Sequence, residues 1–235
     1  RWSSGSENAY FAAEVFDRYR SLQEPVFERE ENLGKGVGYI MAIDVGRFSD
    51  QSEVAIWKYI PQTGTTSTKH LVNIVSFEQM HFSEQAVEIK LLYNRYKPEK
   101  VVIDGAGLGA GLVDELIKPQ VDVRTNQYLN PWGVANDDKG YYKQFKTADT
   151  IDNLLYIIKA NASFNTEMYA NLQTQLTTGK LRFLIDERQA KMKMDASRAK
   201  KFKDMTEDEK ANWIVPFTQT SLLKDQMVNL EEKHE

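Results

Sequence analysis

Cysteine does not occur in this sequence of 235 residues, and histidine occurs only at His70, His81 and His234. The absence of cysteine excludes a disulfide framework, a thiolate nucleophile and a zinc site with sulfur ligands. The histidines are too scattered to form the HExxH pair of a helical zinc site. Any bound metal ion is therefore expected on carboxylate oxygens.

Long apolar runs are also missing. No segment approaches the roughly 18 apolar residues of a membrane-spanning helix, and no leader resembles a signal peptide, so we expect a soluble intracellular protein. The net charge of -4 argues against a surface that is basic throughout, but it leaves room for a local basic groove. The phosphate-binding motif GxxxxGKS or GxxxxGKT is absent, so this chain is not expected to act as a P-loop ATPase.

The first predicted elements of the main domain are three strands. Apolar and β-branched runs predict them at 39–45, 53–60 and 70–78. The connection at 61–69 is rich in turn formers, which favours an antiparallel meander. The run at 39–45 is apolar up to its aspartate, as expected of a central strand that is covered on both faces.

Helices and strands alternate in the next part of the chain. The patterns predict a helix, a strand, a glycine-rich loop, a helix and a further strand, at 83–96, 100–104, 105–111, 112–118 and 121–126. Helical structure is predicted from 141 to 178, including a sheet-covering helix at 147–160 with Ile151, Leu154, Leu155 and Ile158 on one face. This order predicts an α/β fold with a mixed sheet, antiparallel at its start and parallel in its second half, flanked by helices.

Two aspartates end the predicted central strands. Asp44 and Asp104 each follow an apolar run, and Gly46 and Gly105 leave space beside them. Like charges at neighbouring strand ends are tolerated when a cation neutralises them, and Mg²⁺ prefers carboxylates together with water and phosphate. Paired ions can support phosphodiester hydrolysis. Asp50 could return from the next turn as an auxiliary ligand or a partner of one.

Simpler interpretations of these aspartates remain open. A buried strand that ends in Asp and Gly is often only the start of a turn. The stretch "GAGLG" at 105–109 also has the spacing of a dinucleotide-binding loop, although the preceding Asp104 would repel a pyrophosphate. The two aspartates taken together, in this order of elements, favour a functional site.

Four stretches together resemble the C-terminal nuclease region of the large terminase subunit of tailed bacteriophages. They are "RWSSGSENAYF" at 1–11, "AIDVGRFSD" at 42–50, "VVIDGAGLGAGLVDEL" at 101–116 and "VPFTQTSLLKDQMVNLEE" at 215–232. The resemblance implies a ribonuclease H-like fold with a five-stranded mixed sheet, and a Mg²⁺- or Mn²⁺-dependent endonuclease that cuts concatemeric viral DNA during packaging. It implies Asp44 and Asp104 as catalytic metal ligands and Asp50 as an auxiliary acid.

The resemblance also has a departure, at the third acid of the metal site. Related sequences continue with a strand and an aspartate-containing helix after the motif that ends this chain, so we expect either that the acid is missing or that Asp225 replaces it. We expect residues 1–37 to be a helical lead-in from an ATPase domain, with a helix over 7–22, and residues 38–235 to be a nuclease domain that is truncated at its C-terminus. The partners implied are double-stranded DNA, the terminase ATPase domain, the small terminase subunit and the portal. The isolated domain is expected to be a monomer in the host cytoplasm.

Two stretches are candidates for DNA contact. The stretch 191–203 holds six basic residues and one acid, and its candidate contacts are Lys191, Lys193, Arg198, Lys200 and Lys201. A solvated helix is an equal alternative, because the acidic run at 204–210 follows at once. The stretch 130–146 combines aromatic residues with lysines, and its candidate contacts are Lys143 and Lys146. Core packing of its tyrosines is at least as well supported.

Three other functions compete with the nuclease hypothesis. The stretch "AIDVGRFSD" also resembles the first phosphate motif of actin-like ATPases, although 105–235 shows no second set of three strands. Resolvases and transposases share the ribonuclease H-like fold. A DNA-binding or motor-docking module without catalysis is the third alternative. Metal-dependent cutting without nucleotide would favour the nuclease, with Asp44 bridging two ions and Asp104 holding one of them.

Overall fold

The computed structural model of the chain describes residues 10–46, 52–63, 66–196 and 200–230, leaving out the side chains of residues 200 and 201. The chain divides into two compact units. Unit 1 takes its described residues from Arg1–Val26, Ile60–Ile74 and Asn165–Glu235, and unit 2 takes them from Phe27–Tyr59 and Val75–Phe164.

Strands and helices are numbered in the order in which they follow one another along the chain. The strands are β1 (Arg20–Leu22), β2 (Gly38–Asp44), β3 (Ser52–Pro61), β4 (Ser67–Phe77), β5 (Lys100–Asp104), β6 (Gln120–Asp122), β7 (Gln127–Leu129), β8 (Trp132–Val134), β9 (Ile151–Ile158) and β10 (Leu181–Leu184). The helices are α1 (Ala13–Arg18), α2 (Phe82–Tyr96), α3 (Gly109–Leu116), α4 (Ala162–Thr177), α5 (Glu187–Ala196), α6 (Lys200–Lys203) and α7 (Glu207–Val228). A short 3-10 helix covers Tyr142–Phe145.

The sheet of unit 2 positions the candidate site. Its strands pair in the order β3, β2, β5, β9, β8. The pair β2 and β3 is antiparallel, and the pairs β2 with β5, β5 with β9 and β8 with β9 are parallel. The antiparallel start and parallel second half predicted from the sequence are therefore confirmed, as is the α/β class with helices beside a mixed sheet. Because β2, β5 and β9 run in one direction, their carboxyl ends lie at the same edge of the sheet.

Helix α2 covers one face of this sheet, where the sequence predicted a helix over 83–96. It buries Ile89, Leu92 and Tyr96, which follow helical spacing, and the Tyr96 ring lies 5.9 Å from the Tyr39 ring of β2. The helix ends at Lys97, which adopts a left-handed conformation with φ of 47°. Pro98 follows, and its ring disfavours a helical conformation of the residue before it.

The predicted helix at 147–160 is wrong, because this segment forms β9. Strand β9 lies between β5 and β8, and Asn153 has a φ of 53° in a register irregularity against β8. Trp132 pairs with Ile151 but Val134 pairs with Leu155, so β9 contains extra residues at this point. The bulge interrupts the alternation of a regular strand, which explains why the apolar residues mimic helical spacing.

Two other predicted elements also differ from the structure. The predicted strand at 121–126 forms β6 and a turn, and β6 pairs only with β7 in a separate two-stranded ribbon. The predicted helix at 7–22 is limited in the described residues to α1, because the chain then turns into β1. In both cases a local turn ends the element earlier than its apolar pattern suggested.

Unit 1 contains β1, β10, most of β4 and a helical core. Within it β1 pairs with β10 and β10 pairs with β4, both in parallel. Helix α7 starts at the Thr206 cap, whose hydroxyl accepts a hydrogen bond from the Glu209 backbone N–H at 3.2 Å. Its Trp213 ring packs against Phe202 and Phe217. The centroid of the Trp213 ring lies 5.0 Å from that of Phe202 and 4.8 Å from that of Phe217. This aromatic cluster is the core under α7.

Among the described residues, no helix combines the length and apolar character needed to cross a membrane.

Candidate active site

Asp44 and Asp104 end two neighbouring parallel strands. Ile43 of β2 pairs in register with Ile103 of β5, so the next residues of both strands are the two aspartates. Residues paired in this way point to the same face, and neighbouring strands lie about 4.8 Å apart. Both aspartates are exposed. The structure therefore places the two carboxylates side by side at the carboxyl edge of the sheet, where the sequence predicted them.

The loop after β5 fixes the position of Asp104. Its Oδ1 accepts a hydrogen bond from the Ala106 backbone N–H at 2.9 Å, and the Gly105 N–H donates to the Ile158 carbonyl at 2.7 Å. A Cβ atom on Gly109 would lie 1.7 Å from the Asp104 carbonyl oxygen. Only glycine allows the first turn of α3 to approach the strand end this closely. The glycine-rich stretch thus serves to hold Asp104 against α3.

A buried serine fastens the chain after Asp44. Ser52 is fully buried at the start of β3, and its hydroxyl accepts a hydrogen bond from the Gly46 N–H at 2.9 Å. The same hydroxyl lies 2.7 Å from Gln85 Oε1, to which it can donate its proton, and Gln85 Nε2 donates to the Met80 carbonyl. These bonds satisfy polar groups that would be costly to bury unpaired. They also tie the end of β2 to the start of β3 and to α2.

A third carboxylate, Glu53, lies at this edge and was missed by the sequence analysis. It pairs in antiparallel register with Asp44, so the two side chains share a face of the sheet. Partial burial raises the pKa of Glu53, and the negative charge of Asp44 raises it further. Spacing alone gave no signal for this residue, because the register of β2 and β3 depends on the turn between them.

The charge at this edge has no basic partner within the described part of the chain. None of Asp44, Glu53 and Asp104 forms a salt bridge with a described lysine or arginine. The described residues also contain no group of three or more acidic or histidine side chains already in a metal-holding arrangement. Oxygen ligands without a protein cation nevertheless suit Mg²⁺ or Mn²⁺, which require few carboxylates. The residues present therefore fit a divalent ion.

The remaining predicted ligands lie elsewhere. Asp50 lies outside the described residues. Asp225 is exposed on α7 of unit 1, where its charge acts on the Arg20 guanidinium, whereas Asp44 and Asp104 belong to unit 2. The roles of Asp50 and Asp225 as ligands stay predictions.

The predicted DNA contacts of unit 1 are partly neutralised by acids. Lys191 forms an ion pair with Glu187 on the same helix, α5. Lys193 Nζ lies 3.2 Å from Glu24 Oε1. Arg198 lies outside the described residues, and so do the side chains of Lys200 and Lys201, although both lysines belong to α6. These ion pairs favour the solvated-helix alternative for the two lysines whose side chains are described, and their contact with DNA stays a prediction.

The predicted contacts of unit 2 lie around the short 3-10 helix. Lys143 is exposed on this helix, and Lys146 follows it. Lys146 Nζ lies 2.5 Å from Asp152 Oδ1, in an ion pair that water weakens because both side chains are exposed. Tyr141 and Tyr142 are not core residues, since both lie at the surface or half-buried. Core packing, which the sequence left open for these tyrosines, does not apply.

Comparisons with known proteins give structural likeness without detectable sequence relationship. No family model matches the chain, and no curated protein matches it. The large terminase nuclease of thermophilic phage G20c with bound magnesium is similar in structure, with 12% identity, a TM-score of 0.42, and coverage of 91% of this chain and 98% of that one.

Two further solved structures are similar to the chain at a comparable level. The human cytomegalovirus terminase nuclease domain, soaked with Mn, has 8% identity and a TM-score of 0.39, covering 94% of this chain and 98% of that one. The yeast mitochondrial Holliday junction resolvase has 9% identity and a TM-score of 0.32, covering 91% and 89%. The family suggested by the sequence motifs is thus also represented among the similar structures. At this level of likeness, the function has to be argued from the site.

Proposed function

We propose that this chain is a divalent-metal-dependent DNA endonuclease with its centre at Asp44 and Asp104. The observation that supports this function is the pair of exposed carboxylates at adjacent parallel strand ends, with no described basic partner. Such a concentration of negative charge is costly unless a cation neutralises it. Both carboxylates are exposed at this edge of the sheet, so a phosphate can approach them from solvent.

Each acidic residue has a separate role in this proposal. Asp44 lies on the strand between those of Glu53 and Asp104, so it is the central carboxylate of the three and would hold a divalent ion. Asp104 would help to hold the metal, since the Ala106 N–H occupies only one of its two carboxylate oxygens. Glu53 adds negative charge beside Asp44 and strengthens the attraction for cations. When bound, the ions supply Lewis-acid stabilisation of the phosphodiester and lower the pKa of an attacking water.

We further propose that the substrate is concatemeric viral DNA, cut during genome packaging. Support for this finer assignment comes from the joint order of the four terminase-like sequence stretches. In that role the chain works with an ATPase domain, a small terminase subunit and a portal, and the basic residues around 143–146 and 191–201 contact DNA phosphates. Phosphate contacts of this kind are independent of sequence and weaken as salt rises.

A plasmid-nicking assay tests the proposed activity. Supercoiled DNA is incubated with the chain in Mg²⁺, in Mn²⁺ and in EDTA, without nucleotide. We expect cutting with either ion, no cutting in EDTA, and loss of cutting in Asp44→Asn. The matched control is Asp152→Asn, an exposed aspartate near the start of β9, at the opposite end of the strand from the carboxylate edge.

The outcomes separate the competing functions. Cutting that survives in Asp44→Asn would contradict the assigned centre. Cutting that requires ATP would favour an actin-like ATPase instead. Binding of DNA without cutting under any of these conditions would favour the non-catalytic module.

A further inference from the structure

A groove of about 840 Å³ lies within unit 2, beside the carboxylate edge. Its walls come from the first turns of α3, from the segment after β8 and from the end of β9. The residues that matter for its chemistry are Asn136, Tyr141, Tyr142, Lys139 and Lys159. None of these residues takes part in the metal centre proposed above.

The groove opens one strand away from Asp104. Lys159, which lines the groove, directly follows Ile158, and Ile158 pairs in register with Asp104. Ala110 also lines it and follows Gly109, whose backbone packs against the Asp104 carbonyl. Neighbouring strands are only about 4.8 Å apart. Ile157 and Lys159 alternate with Ile158, so the groove lies on the face of β9 opposite the Asp104 side chain, and a DNA strand would pass between the two at the carboxyl ends of β5 and β9.

Aromatic rings stand at the mouth of the groove and are exposed to solvent. Tyr141 is 58% exposed and Phe145 is 42% exposed. The Tyr141 ring contacts Tyr142 and Phe145, with centroids 5.0 and 5.9 Å apart. Single exposed aromatic residues are common, but here Tyr141 contacts two further rings, and together the three form an apolar platform that suits base stacking.

Hydrogen bonds hold this platform in place. Asp137 accepts bonds from the backbone N–H groups of Tyr141 and Tyr142, each at 2.8 Å. Asn136 exchanges two bonds with the backbone of Ile157 in β9, at 2.7 and 3.0 Å. The platform is thus fastened to the same strand that pairs with β5. A platform that is already ordered loses little conformational entropy when it binds a ligand.

The charges around the groove favour a single nucleotide over a duplex. Lys139, Lys143 and Lys159 form no salt bridge with any acid that the structure describes, so they are available to phosphate. Asp114 and Asp138 line the same groove. These acids would repel the two closely spaced phosphate backbones of a duplex, whereas amino groups of an inserted base can donate hydrogen bonds to them.

We propose that this groove binds one unpaired nucleotide of DNA, with its base stacked on Tyr141 and Phe145 and its phosphate beside Lys139 or Lys159. The proposal rests on the proposed nuclease function, because it places that nucleotide next to the phosphate to be cut. It makes locally opened DNA, rather than fully paired DNA, the preferred substrate of the site.

Binding measured in EDTA tests the groove independently of catalysis. Two labelled duplexes of equal length, one fully paired and one with a central unpaired bubble, are titrated with the chain and followed by fluorescence anisotropy. We expect the bubble to bind more tightly by on the order of tenfold, and this preference to disappear in the double variant Tyr141→Ala, Phe145→Ala. Equal affinity for the two duplexes in the unaltered chain would overturn the proposal.

A matched control separates stacking from general loss of aromatic surface. Tyr128 is 51% exposed, and its hydroxyl bonds to Asp149, just before the start of β9 and so at the far end of that strand from Lys159. Tyr128→Ala should keep the preference, and so should Tyr141→Phe, which retains the ring. Thermal unfolding shows whether each variant is folded. Loss of the preference in Tyr128→Ala to the same degree as in the double variant would also overturn the proposal.

The results that would contradict the groove proposal differ from those that would contradict the proposed nuclease function. Cutting of plasmid DNA together with equal binding of both duplexes would leave the nuclease standing and remove the groove proposal. An aromatic-dependent preference for the bubble without any cutting would support the groove as a DNA site and remove the nuclease.

Discussion

Two acidic regions of unit 2 handle their charge in opposite ways. Near the ribbon of β6 and β7, Arg124 lies between two acids, with Nε 2.9 Å from Asp122 Oδ1 and Nη2 2.7 Å from Glu88 Oε1. The hydrogen bond from Arg124 holds the pKa of Asp122 below its ordinary value. In this region the protein supplies its own cation.

The carboxylate edge lacks such a cation among the described residues. Burial and the charge of Asp44 together raise the pKa of Glu53, which is the opposite direction from Asp122. The difference shows what each set of acids contributes. The acids around Arg124 are satisfied within the fold, whereas those at the edge keep a negative field that attracts an external cation. Four changes should break or sharpen this contrast.

The largest effect is expected from removing a carboxylate of the edge. Asp104→Asn should lower the initial nicking rate about 10²–10³-fold, because several kcal/mol of transition-state stabilisation are lost with the ion. Asp122→Asn, in the other acidic region, should cut at close to the rate of the unaltered chain. Similar losses in both variants would mean that the two regions do not differ in function.

A methyl group at Gly109 should displace the backbone at the end of β5, where Asp104 lies. Its Cβ would lie 1.7 Å from the Asp104 carbonyl oxygen, so α3 or the end of β5 must move. We expect Gly109→Ala to lower the free energy of unfolding by roughly 3 kcal/mol, at the upper end for overpacking. The control is Gly34→Ala, where the nearest atom is 3.5 Å away. Urea denaturation of the two variants measures the difference, and equal stability would contradict the described packing.

Neutralising Glu53 should separate the effects of repulsion and of metal binding. Without metal at neutral pH, Glu53→Gln should raise Tm, because ionised Glu53 is partly removed from water and is also repelled by Asp44. The pKa of Glu53 is raised in the folded state, so its ionised form costs stability above that pKa. The advantage of the variant should therefore vanish as the pH falls through it.

Binding of Mg²⁺ should reverse which of the two proteins, the unaltered chain or Glu53→Gln, has the higher Tm. At a free Mg²⁺ concentration ten times the Kd, the unaltered chain gains about 1.4 kcal/mol, and Glu53→Gln should gain less. Thermal unfolding with and without Mg²⁺ measures both quantities. Glu31→Gln, an exposed acid away from the edge, is the control and should behave like the unaltered chain. An unchanged response to Mg²⁺ in Glu53→Gln would remove Glu53 from the site.

The smallest effect is expected from removing Arg124. Its side chain is exposed, so the ion pairs it forms are weakened by water and salt. Arg124→Met should lower Tm by no more than about 2–4 °C and should leave the stabilisation by Mg²⁺ unchanged. A changed response to Mg²⁺ would show that the two acidic regions are coupled.

The central strands could be predicted from the sequence, because burial on both faces gives a continuous apolar run. Strands β2 and β5 and helix α2 lie within a residue or two of their predicted bounds. The side-by-side placement of Asp44 and Asp104 at the strand ends followed from the parallel order of those strands. Strand β9 could not be predicted from the sequence, because the bulge at Asn153 interrupts the alternation of apolar and polar residues that marks a strand. Its strand structure depends instead on pairing with β5 and β8.

The rest of the site depends on register and on tertiary contact. Glu53 lies opposite Asp44 only because of how β3 pairs with β2, which no spacing in the sequence fixes. The aromatic platform was visible as a mixture of tyrosines and lysines, but its place beside Asp104 required β9 to be a strand. The single wrong helix at 147–160 therefore hid the groove.

Calorimetric titration with Mn²⁺ tests the central claim most directly. The unaltered chain, Asp44→Asn and Asp152→Asn are titrated under the same conditions without DNA. The account predicts saturable binding in the unaltered chain and in Asp152→Asn, and its loss in Asp44→Asn. Binding of equal affinity and stoichiometry in Asp44→Asn would show that the carboxylate edge is not a metal site.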